Sequence, residues 1–196
     1  MNTGLVNSVN VWPNMIHKCH YDGDLSAAIA KAIKICKEEP DFPLELGGGK
    51  SSVRYHEKPH EWPELDEFTT WVSLRLEECW ADWGMRMVPR YPINSWVNWH
   101  PKGAWTEEHD HGAIHQVMVL YLKKPKNSGN IQFRNPMQYH WASYPKNFNL
   151  SSIWQTVEVE EGDVLMFPGW ISHRTEPNTS DDDRVVMTLN LSINKA

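Results

Sequence analysis

The apolar period of this chain changes once, near residue 93, and that change limits the folds open to it. Before it, apolar residues recur at helical spacing. In "DLSAAIAKAIKICKEE" (24–39), Asp24 is the capping residue, Leu25, Ile29, Ala32, Ile33 and Cys36 share one face, and Pro40 ends the run. In "PELDEFTTWVSLRLEECWADWG" (63–84), Pro63 opens the first turn and Leu65, Phe68, Val72, Leu76, Cys79 and Trp83 form a second stripe. After it the period is two: "INSWVNW", "HQVMVLYL", "NIQF", "QTVEVEEGDVLMF" and "RVVMTLNLSI" read as strands separated by Gly, Pro and Asn turns. Helices followed by strands predict an α+β fold, with helices covering one face of a largely antiparallel sheet or jelly-roll barrel. The expected organisation is one domain over 1–196, with 1–90 mainly helical support and 91–196 the β-barrel core.

Charge and cysteine usage narrow the partners. Lys and Arg number 19 against 25 Asp and Glu, a net charge of −6, and the charges are scattered, which disfavours duplex nucleic acid as a partner. No apolar run is long enough for a membrane span, and "MNTGLVNSVNVWPN" has no signal-peptide pattern, so a soluble cytoplasmic protein is expected. Cys19, Cys36 and Cys79 are far apart, without a C-x-x-C pair, and read as free thiols. Of the 11 tryptophans, Trp96, Trp99, Trp105 and Trp170 lie beside histidine-bearing segments and are candidates for shaping a pocket.

"GGGKSS" (47–52) resembles a phosphate loop but lacks the first glycine of G-x-x-x-x-G-K-[ST], and reads as a flexible loop near the mouth of a site. Three other segments carry chemistry. In "TEEHDHGAIHQVMVLYL", His109 and His111 are two apart, so on an extended chain both rings point to one side and Asp110 points away. In "EEGDVLMFPGWISHRTEPN", a strand Val164–Phe167 and a break at Pro168-Gly169 lead to His173, which returns a third imidazole toward the first two. Three ligands on one side of an ion leave the other positions open for substrate and dioxygen. In "DDDRVVMTLNLSI", alternation puts Val185, Met187, Leu189, Leu191 and Ile193 on one face and Arg184, Val186, Thr188, Asn190 and Ser192 on the other. An inward Arg184 needs an anionic partner. Either a ligand carboxylate supplies it, helped by Thr188, or Arg184 pairs with one of Asp181 to Asp183.

These segments together resemble the Fe(II)/2-oxoglutarate-dependent oxygenases, whose double-stranded β-helix carries an H-x-[DE]…H triad and, some ten residues on, an arginine for the far carboxylate of 2-oxoglutarate. Arg184 lies eleven residues beyond His173. The matching stretches are "SWVNWHPKGAWTEEHDH", "VLYL", "SGNIQFRNP", "EGDVLMFPGWISH" and "RVVMTLN", within 95–190, and they look most like a branch found in marine bacteria and their phages. The resemblance implies Fe(II) at His109, His111 and His173 as metal ligands and catalytic centre, and 2-oxoglutarate held by Arg184, Tyr121, Thr188 and Asn190. It further implies dioxygen as oxidant, and hydroxylation of a small molecule or protein side chain with release of succinate and CO2. One departure stands out: His111 occupies the place of the family's carboxylate. Glu107 is the reserve carboxylate ligand and His115 a pocket residue; His17, His20, His56, His60, His100 and His140 read as ordinary, with His100 near the site. Two other readings are open: a cupin-type metalloenzyme that does not use 2-oxoglutarate, and a non-catalytic jelly-roll binding module.

Overall fold

The computed structural model describes residues 16–38, 46–54, 58–84, 86, 91–137 and 153–193; His56 and His140 lie outside them. Among the described residues, eleven strands and two α-helices occur in the order β1 (His17–His20), α1 (Ser26–Glu38), β2 (Leu46–Gly47), β3 (Lys50–Ser51), α2 (Asp66–Asp82), β4 (Tyr91–His100), β5 (Trp105–Thr106), β6 (Gln116–Lys123), β7 (Ile131–Arg134), β8 (Trp154–Val157), β9 (Asp163–Phe167), β10 (His173–Thr175) and β11 (Arg184–Ser192). A six-stranded antiparallel sheet runs β1-β9-β6-β11-β4-β3, and a three-stranded sheet runs β10-β7-β8. A two-stranded ribbon pairs β2 with β5. This is the expected α+β double-stranded β-helix, with the two sheets facing each other and not hydrogen-bonded into a closed cylinder among the described residues.

The alternation of β11 divides the core in two. Val185, Met187, Leu189 and Leu191 face out and pack against α1 and α2. Val186 faces in, among Val117, Val119 and Tyr121 of β6 and Phe133, Leu165 and Phe167. Along α2 the buried stripe is Phe68, Val72, Leu76 and Cys79, as its spacing predicts. Along α1 the deepest residues are Ala28, Ala32 and Cys36, small enough to bring the helix close to β4, while Ile29 and Ile33 flank them. Asp24 accepts the Ser26 N–H at 2.9 Å, the expected cap. Pro63 starts a short 3₁₀ turn, Pro63–Leu65, and α2 itself begins at Asp66. No helix among the described residues is long and apolar enough to cross a membrane.

The first half of the chain is less purely helical than its periodicity suggests. "GGGKSS" is not a free loop: it builds β2 and β3, whose partners are β5 and β4. Gly47 lies against the Trp105 ring, where a side chain would overlap the indole. Ser52 is buried, its Oγ accepting the Val97 N–H at 3.0 Å. β1 extends the large sheet by pairing with β9, His17 opposite Met166.

The β1 edge is fastened by a buried carboxylate. Asp163, 1% exposed, holds Lys18 Nζ at 2.7 Å and His20 Nδ1 at 3.0 Å, and accepts the Glu160 N–H at 2.8 Å. Burial alone would raise its pKa, but Lys18, the Glu160 N–H and His20 outweigh burial and hold it below the usual carboxylate range. The stabilisation is therefore present above the unfolded-state pKa of about 3.9 and is lost as pH falls through the lower folded value. Asp163→Asn should destabilise the protein by about 1–3 kcal/mol at pH 7. The low end is expected, because Lys18 and His20 are each 41% exposed and screened by water. The gap between variant and wild type should close in acid, and equal melting temperatures at pH 7 would count against the fastening.

Candidate metal centre

His109 and His111 lie on the extended segment between β5 and β6, and His173 opens β10. The chain brings them together through one antiparallel bridge: the His109 N–H donates to the His173 carbonyl at 3.0 Å and the His173 N–H to the His109 carbonyl at 2.9 Å. A second tie comes from the His111 N–H, which donates to Gly169 at 2.8 Å. Gly169 sits so close to the Ile114 carbonyl that a side chain there would overlap it. Asp110 points away, as alternation requires, and its Oδ1 accepts the Gly112 N–H at 2.9 Å. One ligating atom from each histidine ring lies within 4.8 Å of the others.

Each of the three rings has its Nδ1 occupied by an acceptor. His109 Nδ1 donates to the Glu107 carbonyl at 2.9 Å, His173 Nδ1 to the Ile171 carbonyl at 3.0 Å, and His111 Nδ1 to Asn190 Oδ1 at 2.8 Å. With the proton at Nδ1, all three Nε2 lone pairs are free, the tautomer a metal needs. Burial lowers the pKa of His111 to about 4, with the neighbouring His109 charge adding to the effect. Burial likewise puts His173 well below its usual value. Both rings are thus neutral near pH 7. His111 Nε2 is buried with no hydrogen-bond partner, a costly state for a lone pair unless a cation takes it. Three imidazoles with converging Nε2 atoms, the one on His111 buried and without a partner, fit a divalent transition metal.

The surroundings support these rings. Trp96 stacks on His111 at 5.8 Å with an interplanar angle of 21°, and Phe167 meets His173 edge-on at 4.9 Å. Of the other tryptophans, Trp99 packs against the helix-side core, while Trp105 and Trp170 are partly exposed. Glu107 does not join the cluster: its side chain lines an outer groove with Trp105, Gln132 and Arg174, and it serves His109 through its main-chain oxygen. His115 also stands apart, its Nδ1 3.2 Å from Ser192 Oγ. The second group of potential ligands, His20, Glu160 and Asp163, already contains a cation, the Lys18 ammonium.

Beyond the triad, the inward residues of β11 pair with those of β4: Arg184 with His100, Val186 with Asn98, Thr188 with Trp96 and Asn190 with Asn94. Arg184 is fully buried. Its Nη1 donates to the Ser128 carbonyl and to the Glu176 carbonyl at 3.0 Å. Nη2 donates to Thr175 Oγ1 at 2.8 Å. Nε has no partner. Burial lowers its pKa to about 10, so it remains a cation at neutral pH. The three nearby aspartates are engaged elsewhere: Asp181 with Lys102 at 2.5 Å, Asp182 with Lys123 at 2.6 Å and Asp183 with Lys37 at 3.9 Å. The Arg184–aspartate pair considered from sequence is therefore not formed, and the guanidinium has no carboxylate within ion-pair range among the described residues. Tyr121, 1% exposed, lies within the field of Arg184, with burial raising its phenol above the usual range. Buried atoms without partners, Asn98 Oδ1 and His100 Nδ1, line the same interior. Asn98, Thr175 and Ser128 escape sequence reasoning; only the inward parity of Asn98 on β4 hints at its place.

A protein-family model described as "Putative 2OG-Fe(II) oxygenase" matches residues 94–190, the stretch from β4 to β11 that carries the triad and Arg184. The chain is a 2-oxoglutarate/Fe(II) oxygenase. No curated protein sequence matches the oxygenase. Its fold is similar to that of a prolyl-4-hydroxylase from Pseudomonas putida, at 13% identity and TM-score 0.60, covering 90% of this chain and 91% of that one. It is also similar to a viral collagen prolyl hydroxylase from Paramecium Bursaria Chlorella virus-1 in complex with 2-oxoglutarate, at 14% identity and TM-score 0.59, covering 90% and 94%. A third is a prolyl hydroxylase from Trichoplax adhaerens in complex with a hypoxia inducible factor peptide, at 13% identity and TM-score 0.62, covering 91% and 83%. At such identities the likeness speaks for the fold. The oxygenase uses Fe(II), 2-oxoglutarate and dioxygen, which sets aside both the cupin reading without 2-oxoglutarate and the binding-module reading.

Proposed function

We propose that the oxygenase hydroxylates a carbon–hydrogen bond of a small molecule or protein side chain, converting 2-oxoglutarate to succinate and CO2. The observation that carries this reading is the pairing of two features: three converging imidazoles and, on the inward face of β11, a buried guanidinium with no carboxylate in ion-pair range among the described residues. Fe(II), held by His109, His111 and His173, supplies the oxidising chemistry with dioxygen and 2-oxoglutarate when bound.

The protein's own residues do the positioning. Nε and Nη2 share one edge of the Arg184 guanidinium; Nε is unspent and Nη2 has donated one of its two hydrogens, which leaves a side-on edge suited to a carboxylate. Thr175, which moors that head, is two residues beyond His173 on the same face of β10, about 7 Å along the strand. A five-carbon diacid can bridge from there to the triad. Thr188 lies between Arg184 and Asn190 on the inward face, and Tyr121 lies beside Arg184; both are placed to contact the bound diacid. Trp96 and Phe167 wall the triad against water and so keep oxidation directed at substrate. Cys19, Cys36 and Cys79 are thiols and not disulfide-bonded, which suits a cytoplasmic, reducing compartment.

An anaerobic titration of metal-free protein with Fe(II) and then 2-oxoglutarate tests the reading. A visible charge-transfer band on adding 2-oxoglutarate, followed by succinate formation on admitting air, is the expected result. Iron binding with neither band nor succinate would overturn it.

A further inference from the structure

We propose that Asn190 is a positioning residue that fixes the tautomer of His111, so that His111 and Asn190 act together as one metal-binding unit. The inference rests on the triad as the iron site.

His109 and His173 each donate from Nδ1 to a main-chain carbonyl two residues earlier in their own segment, Glu107 and Ile171. The corresponding carbonyl for His111 belongs to His109. That oxygen is already taken by the His173 N–H in the bridge that joins the two strands. His111 does not follow the pattern of the other two rings and finds its acceptor on β11 instead, where Asn190 Oδ1 meets its Nδ1 at 2.8 Å. Asn190 is 6% exposed and sits on β11, in the large sheet, opposite Asn94 of β4 and Val117 of β6. Without that acceptor the ring could carry its proton on Nε2, the nitrogen that has to face the ion. A carboxylate at position 111 would have no ring proton to place and would make no use of Asn190. The dependence on Asn190 is thus a consequence of histidine at 111.

Co(II) is the probe, with dissociation constants read from its visible absorption on metal-free protein and folding checked by circular dichroism. Asn190→Ala should weaken Co(II) binding roughly 10- to 100-fold, the usual cost of removing the group that orients a metal ligand. The same substitution in a His111→Asp background should change the affinity little. Equal affinity of wild type and Asn190→Ala, or an equal loss in both backgrounds, would overturn the proposal. If wild type itself binds no Co(II), the iron-site reading fails and this inference with it; if wild type binds Co(II) and Asn190→Ala binds it equally well, the iron site stands and the tautomer role alone is refuted. Nitrogen NMR of metal-free wild type keeps the test independent of whether the variants fold: His111 protonated at Nδ1 is the expected form, and protonation at Nε2 would refute the role outright.

Discussion

Replacing His173 with alanine is expected to remove iron from the oxygenase and with it all succinate formation. Loss of a residue that merely orients a ligand costs about 10- to 100-fold in metal affinity, so loss of a ligand should exceed about 100-fold. The effect should be specific to the ring. The His173 main chain carries the bridge to His109, which alanine preserves. His115→Ala provides the comparison, since that ring is near the segment but outside the cluster and should leave iron binding intact. Isothermal titration with Fe(II) under argon reads both. Undiminished iron binding by His173→Ala would remove the triad from the metal site.

Arg184→Lys is the second large effect, and it separates charge from shape. Lysine keeps a cation in the cavity but loses the planar fork that serves Ser128, Glu176, Thr175 and an incoming carboxylate. Hydrogen bonds to a charged group contribute about 1.5–3 kcal/mol each. Losing one such bond to 2-oxoglutarate, at about 2–3 kcal/mol, raises its half-saturating concentration roughly 30- to 150-fold. Iron affinity without 2-oxoglutarate should be unchanged, because Arg184 touches none of the three histidines. The measurement is succinate formation against 2-oxoglutarate concentration. An unaltered half-saturation would show that the carboxylate lies elsewhere. Arg184→Ala is a poorer probe: it strands two main-chain carbonyls and opens a cavity, and its stability loss would mask the binding defect.

The features legible in the sequence are those with strong local periodicity. β11 declares both of its faces because one is wholly apolar and the other holds Arg184, Thr188 and Asn190. The triad is legible because H-x-H on an extended chain fixes the side to which two rings point. Other features depend on partners far along the chain. β1, β2 and β3 are two to four residues long, too short for a period, and exist because β9, β5 and β4 offer them edges. Asn190 could be placed on the inward face, yet its partner, His111, is 79 residues away in the chain, and only register could join them. Thr175 and Ser128 look like loop and strand-end polar residues until Arg184 is seen reaching them.

The position of the triad has a mechanical consequence. His173 opens β10 of the smaller sheet and His109 is bridged to it, while the side chain that holds His111 rises from the larger sheet. An ion held by all three rings would therefore act as a rivet between β10 and the Asn190-bearing face of β11, beside the His109–His173 bridge and the Gly169 tie. At a concentration 100 times its dissociation constant, such a ligand adds about 2.7 kcal/mol to the folded state. Iron supply and resistance to unfolding are then coupled at one spot, and a cell short of iron would hold this enzyme in a form that is both idle and easier to open.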